Sequence, residues 1–109
     1  MLTRDIHANK ETVDTAIYDL VQSIKLARSM KEKVLCLIVG YGSKGTAHKI
    51  QTAVLEQLAN LKKKNQIREY IRGNELDIFN SNYQRLKFSH LIPENEKKEK
   101  NYGKIFIIV

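Results

Sequence analysis

The sequence predicts an α/β fold running β-α-β-α-β, then an irregular region, then a final strand. Three observations predict it. Two stretches repeat apolar residues at helical spacing: Val13, Ile17, Leu20, Ile24 and Ala27, then Ala47, Ile50, Val54, Leu58 and Leu61. Between them, Val34 to Val39 is continuously apolar, the mark of a strand covered on both faces or central in its sheet. The chain finishes in KIFIIV, Lys104 to Val109, a strong β signal.

Leu2 to His7 is the first strand, with Ile6 facing one way and Asp5 and His7 the other, because side chains alternate along a strand. Asn9 is a plausible cap for the first helix, with Glu11 well placed in its first turn, and the apolar stripe carries that helix from about Lys10 to Met30. Lys31 to Lys33 form a polar turn. The second helix closes near Lys62, Lys63, Lys64 and Asn65, where cations complement the C-terminal end of the dipole. Ile67 to Ile71 is a third strand. Right-handed crossovers place both helices on one face when strands are added in one direction, and leave the other face open. In the region from 73 to 103, Leu76, Phe79, Tyr83 and Leu86 recur at helical spacing and predict a short extra helix. The mixed charges from Pro93 to Asn101 predict a solvated, mobile loop.

A chain of 109 residues makes a single domain, 1–109, without room for separate cofactor and substrate domains. The net charge of +7 favours an anionic partner, most often nucleic acid. No apolar run approaches the ~20 residues of a membrane span, so no membrane partner is expected, and the N-terminus lacks the apolar core of a signal peptide. Cys36 is the single cysteine and has no internal disulfide partner, so a cytoplasmic setting is the default expectation. The chain begins and finishes on strands, which is compatible with a domain excised from a longer protein.

Gly40, Gly42 and Gly45 form a literal G-x-G-x-x-G between the second strand and second helix. Glycine-rich loops at such junctions approach phosphates, because the backbone comes close and the helix end offers unpaired N–H groups. Both standard nucleotide patterns fail in this context. A dinucleotide site wants the motif on the first strand and an acid ending the next, whereas here the next strand ends in Arg72. A P-loop wants Lys and then Ser or Thr after the last glycine, but Lys44 precedes Gly45.

Two features together resemble the Smr domain, the small MutS-related module: Asp5-Ile6-His7 in the first strand, and Val39-Gly40-Tyr41-Gly42 between the second strand and second helix. They match the family's Leu-Asp-Leu-His strand and His-Gly-x-Gly loop, separated by one helix and one apolar strand. The resemblance covers about Leu2 to Ile71 and the final strand. It departs from the family in three places. Val39 replaces the loop histidine, His48-Lys49-Ile50 replaces the apolar-arginine pair of the second helix, and residues 73–103 exceed the usual link. The resemblance implies a two-layer βαβαββ sandwich with a mixed four-stranded sheet, similar to the C-terminal domain of a bacterial translation initiation factor. It also implies binding to RNA or DNA, with endonuclease activity in some members, including cleavage of mRNA on ribosomes.

The residues allow that chemistry. Asp5 and His7 share a strand face, close enough for the carboxylate to raise the imidazole pKa or fix its tautomer. Such a histidine can serve as general acid or base on a phosphodiester, and with RNA the 2′-OH can attack without a metal. Lys44, His48 and Lys49, with the N–H groups of Gly40, Tyr41, Gly42 and Gly45, could neutralise phosphate charge, and Tyr41 could stack on a base. Arg68, Tyr70 and Arg72 fall on one face of the third strand and could meet backbone and base. Each also has a structural role open to it: His7 and Asp5 as hydrogen-bonding groups at a strand end, Lys44, His48 and Lys49 as a solvated helix start, Tyr41 as cover for the sheet edge, Arg68 and Arg72 as a solvated strand. Lys62 to Lys64 read as helix-end solvation and Cys36 as core. No Cys/His cluster suggests zinc, and no cofactor is expected; a divalent metal is compatible with the sequence but not indicated by it. Two functional classes follow: a weak endonuclease centred on Asp5 and His7, or a non-catalytic module that binds nucleic acid or the ribosome. Val39 is the residue that divides them.

Overall fold

The computed structural model describes residues 1–6, 12–40, 45–75, 88–97 and 101–109. The elements are β1 (Leu2–Asp5), α1 (Val13–Ser29), β2 (Val34–Ile38), α2 (Gly45–Lys63), β3 (Glu69–Arg72), a one-turn α3 (Glu94–Lys97) and β4 (Lys104–Ile108). The strands form one sheet in the order β1-β2-β4-β3. β1 pairs with β2 in parallel, and β4 runs antiparallel to both β2 and β3. Three strands therefore point the same way, with the final strand reversed between the second and third. This is the mixed four-stranded sheet expected of the sandwich.

Burial explains the two layers. Leu35, Leu37, Val39, Ile105 and Ile107 meet Ala16, Leu20, Ile24 and Ala27 of α1 and Ile50, Val54 and Leu58 of α2 in one core, so both helices cover the same face. Alternation sends Val34, Cys36, Phe106, Ile108 and Ile71 to the opposite face. The expectation that this second face lies open is corrected: Ile92 is buried against it, with Phe88 and Leu91 packed alongside. β2 and β4 are thus apolar on both sides, which is why they read as unbroken hydrophobic runs.

Local chemistry sets the element ends. α1 starts at Val13 with Thr12 as its cap, rather than near Asn9, which lies outside the described residues. The Thr15 N–H donates to Thr12 Oγ1 at 3.3 Å and the Thr12 N–H to Thr15 Oγ1 at 2.9 Å. Threonine fills the return role usually given to Glu or Gln. Both long helices end in a left-handed residue, Lys31 at φ 59° and Asn65 at φ 60°. The next N–H groups then reach back: Glu32 to Ala27 O at 2.9 Å and Gln66 to Leu61 O at 2.8 Å.

Two further expectations change. Lys62 is not simply helix-end solvation, because its Nζ lies 3.0 and 2.9 Å from the two carboxylate oxygens of Glu69, whose side chain is 1% exposed. Glu69 Oε1 also accepts the Tyr70 N–H at 2.9 Å. A buried carboxylate needs such partners, since burying it unpaired costs several kcal/mol. The segment after Pro93, expected as a mobile loop, carries α3 instead, fastened by a 3.1 Å ion pair between Glu96 and Lys104. The helix expected over Leu76 to Leu86 lies outside the described residues. Among the described residues no helix is long and apolar enough to cross a membrane.

Candidate nucleic-acid interface

Parallel neighbours deliver their C-terminal ends to one edge, and here β1, β2 and β3 do so together. The register pairs Asp5 with Ile38 and Ile38 with Lys104, which places Asp5 and Lys104 on one row of the sheet. Two strand spacings put their backbones about 9–10 Å apart. Asp5 and Lys104 share the face opposite the helices, alternating with residues of the helix-side core, Ile6 and Ile105. Arg72 pairs with Ile105 and stands on the same edge, but on the helix side.

The Gly40 turn leaves β2 at this edge. Gly40 adopts φ 80°, a left-handed conformation that an L side chain would strain. Four hydrogen bonds fix its base. The Ile6 N–H donates to Ile38 O at 3.0 Å, and the Val39 N–H donates to Gly103 O at 2.8 Å. Gln51, buried on α2, donates through Nε2 to Tyr102 O at 2.8 Å and to Gly40 O at 3.4 Å. Asn101 Oδ1 in turn accepts the Gly103 N–H at 2.9 Å. The strand end, the start of the glycine loop and the turn into β4 are therefore one hydrogen-bonded unit.

Of the site residues expected from sequence, the edge gathers Asp5, Gly40, Gly45 as the first residue of α2, and Arg72. His48 and Lys49 occupy the first turn of α2 and are exposed, and that turn carries no acid. A lysine near a helix start opposes the dipole, so an anion beside Lys49 is favourable. Arg72 Nε is buried and finds no hydrogen-bond partner among the described residues. Arg68 does not join them: it precedes β3 at the far end, about 13 Å away by strand rise. Tyr70 packs against the helix-side core and is not a free stacking platform. His7, Tyr41, Gly42 and Lys44 lie outside the described residues. Val39 is 1% exposed and belongs to the helix-side core.

Sequence reasoning missed Gln51, Asn101, Gly103 and Lys104. Gln51 gave a readable signal, a polar side chain beside Ile50 and three residues before Val54 on a buried helical face. The other three gave none, because their roles depend on β4 threading between β2 and β3. A cleft between α1 and the start of β3, lined by Val21, Ile24, Lys25, Arg28, Leu61, Gln66 and Ile67, opens at the other end of the sheet. Its volume of about 90 Å³ is well below that of a nucleotide-sized pocket. Among the described residues no group of three or more His, Cys, Asp or Glu is placed to hold a metal ion. Comparison of the chain with protein-family models, curated proteins and solved structures returns no match.

Proposed function

We propose that the chain is a nucleic-acid-binding domain of Smr type that grips the phosphate backbone at its strand-end edge and cleaves it weakly. The observation that carries this is the gathering of a left-handed glycine turn, a helix start without acids and cationic side chains on one sheet edge, in a protein of net charge +7. Backbone N–H groups and cations so placed complement phosphate whatever the base sequence. The β1–β2 register supports the catalytic pair as well, since position 7 follows Ile6, which is hydrogen-bonded beside the glycine turn. In this account His7 moves the proton and Asp5 orients it, while His48, Lys49 and Lys44 hold the phosphate.

A second reading, binding without cleavage, is favoured by Val39. The position that carries the family's loop histidine has been given to the apolar core. Introducing histidine there would bury a polar ring among aliphatic side chains, so Val39→His is no clean restoration of activity. The deciding experiment incubates the pure protein with labelled single-stranded RNA and with supercoiled DNA, with magnesium or with chelator. Cleavage should fall by ~10²–10⁴-fold in His7→Ala and by less in Asp5→Asn, with binding retained in both. Binding without any cleavage supports the second reading. Absence of binding defeats both.

A further inference from the structure

Lys104 was not among the residues singled out from sequence, yet it occupies the most central strand position on the candidate edge. Its register partner is Ile38, whose other neighbour is Asp5. The residue before it, Gly103, accepts the N–H of Val39 at the base of the glycine turn. β4 is pinned there on both sides, so the stem of Lys104 starts from a fixed point. Its ammonium group is held by Glu96 at 3.1 Å, and both side chains keep contact with solvent, at 24% and 20% exposure.

Glu96 comes from α3, a single turn in the segment by which the chain exceeds the usual length of the family it resembles. The pair is part-buried but keeps contact with solvent on both sides, so another anion can reach it without opening the core. A phosphate oxygen offers Lys104 the same charge-assisted hydrogen bond as a carboxylate oxygen. One anion can therefore take the place of the other.

We propose that Lys104 is a phosphate-binding residue of this edge and that Glu96 is its internal competitor, occupying the ammonium group until a nucleic-acid phosphate displaces it. The proposal rests on the nucleic-acid reading above. It makes the segment before β4 a built-in attenuator of affinity.

The test measures fluorescence-anisotropy affinity for a labelled single-stranded RNA oligonucleotide in wild type, Glu96→Gln, Lys104→Gln, the double variant and Glu56→Gln. Glu56 is exposed on α2 and controls for the change in net charge. Glu96→Gln should tighten binding about two- to fivefold beyond Glu56→Gln, the scale of a single modest ion pair. Lys104→Gln should weaken binding and reduce the salt slope by about 0.7, one phosphate contact on a single strand. In the Lys104→Gln background the gain from Glu96→Gln should vanish. The proposal is overturned if Glu96→Gln matches Glu56→Gln, or if its gain survives without Lys104. Those outcomes leave RNA binding standing, whereas failure of every protein to bind RNA removes the nucleic-acid reading and this proposal with it.

Discussion

Cys36 and Val39 show how the core claims single residues. Cys36, on the face opposite the helices, is fully buried. Burial pushes its thiol up from 9.0 to about 11, with a smaller lowering from Lys104 and a smaller rise from Glu96. The folded chain keeps a proton that the unfolded chain releases, so the stability from this group is complete below about pH 9 and is lost as pH climbs toward 11. Unfolding free energies measured across that window should fall more steeply in wild type than in Cys36→Ala. Parallel slopes would contradict the assignment. The core role of Cys36 was legible in the sequence because its neighbours are all apolar. The partnership of Lys62 with Glu69 was not, because nothing in a lysine run distinguishes the one that turns back over an edge strand from those that face water.

Elements read well where periodicity is long and poorly where it is short. α1, α2 and the strands β2 and β4 follow directly from their patterns, and their ends shift by only a few residues where caps intervene. Thr12 displaced Asn9 as a cap because a threonine pair can satisfy two N–H groups reciprocally, a geometry that residue type alone does not announce. The cover over the second sheet face was hidden for a different reason. Phe88, Leu91 and Ile92 are three apolar residues among polar ones, too few to set a period, and only the finished sheet gives them a surface. The junction after β3 is tightly packed. A Cβ on Gly73 would press into the Asn101 carbonyl oxygen, which is backbone and cannot swing away. Gly73→Ala should destabilise the domain by about 1–3 kcal/mol, the usual cost of overpacking. It should also disturb the amide resonances of Tyr102 and Gly103, through which β4 anchors the glycine turn. An unchanged denaturation midpoint would show that this junction yields more easily than the contact implies.

For the molecule as a whole, the order of elements was legible but their order in the sheet was not. Local patterns say that a segment is a strand; they do not say that the last one enters between β2 and β3. That threading matters because it brings Lys104, Gly103 and Asn101 to the glycine turn, and completes an edge that the sequence showed only as scattered motifs. The edge carries cationic residues of α2, β3 and β4, and its proposed role is to hold a nucleic-acid backbone. Its most direct test is the salt dependence of affinity for single-stranded RNA, measured by anisotropy from about 50 to 200 mM monovalent salt. Each phosphate neutralised on a single strand contributes about −0.7 to the slope of log K against log salt, so three or four contacts predict a slope near −2 to −3. Binding that is absent, or an affinity that stays flat across this range, would contradict the account.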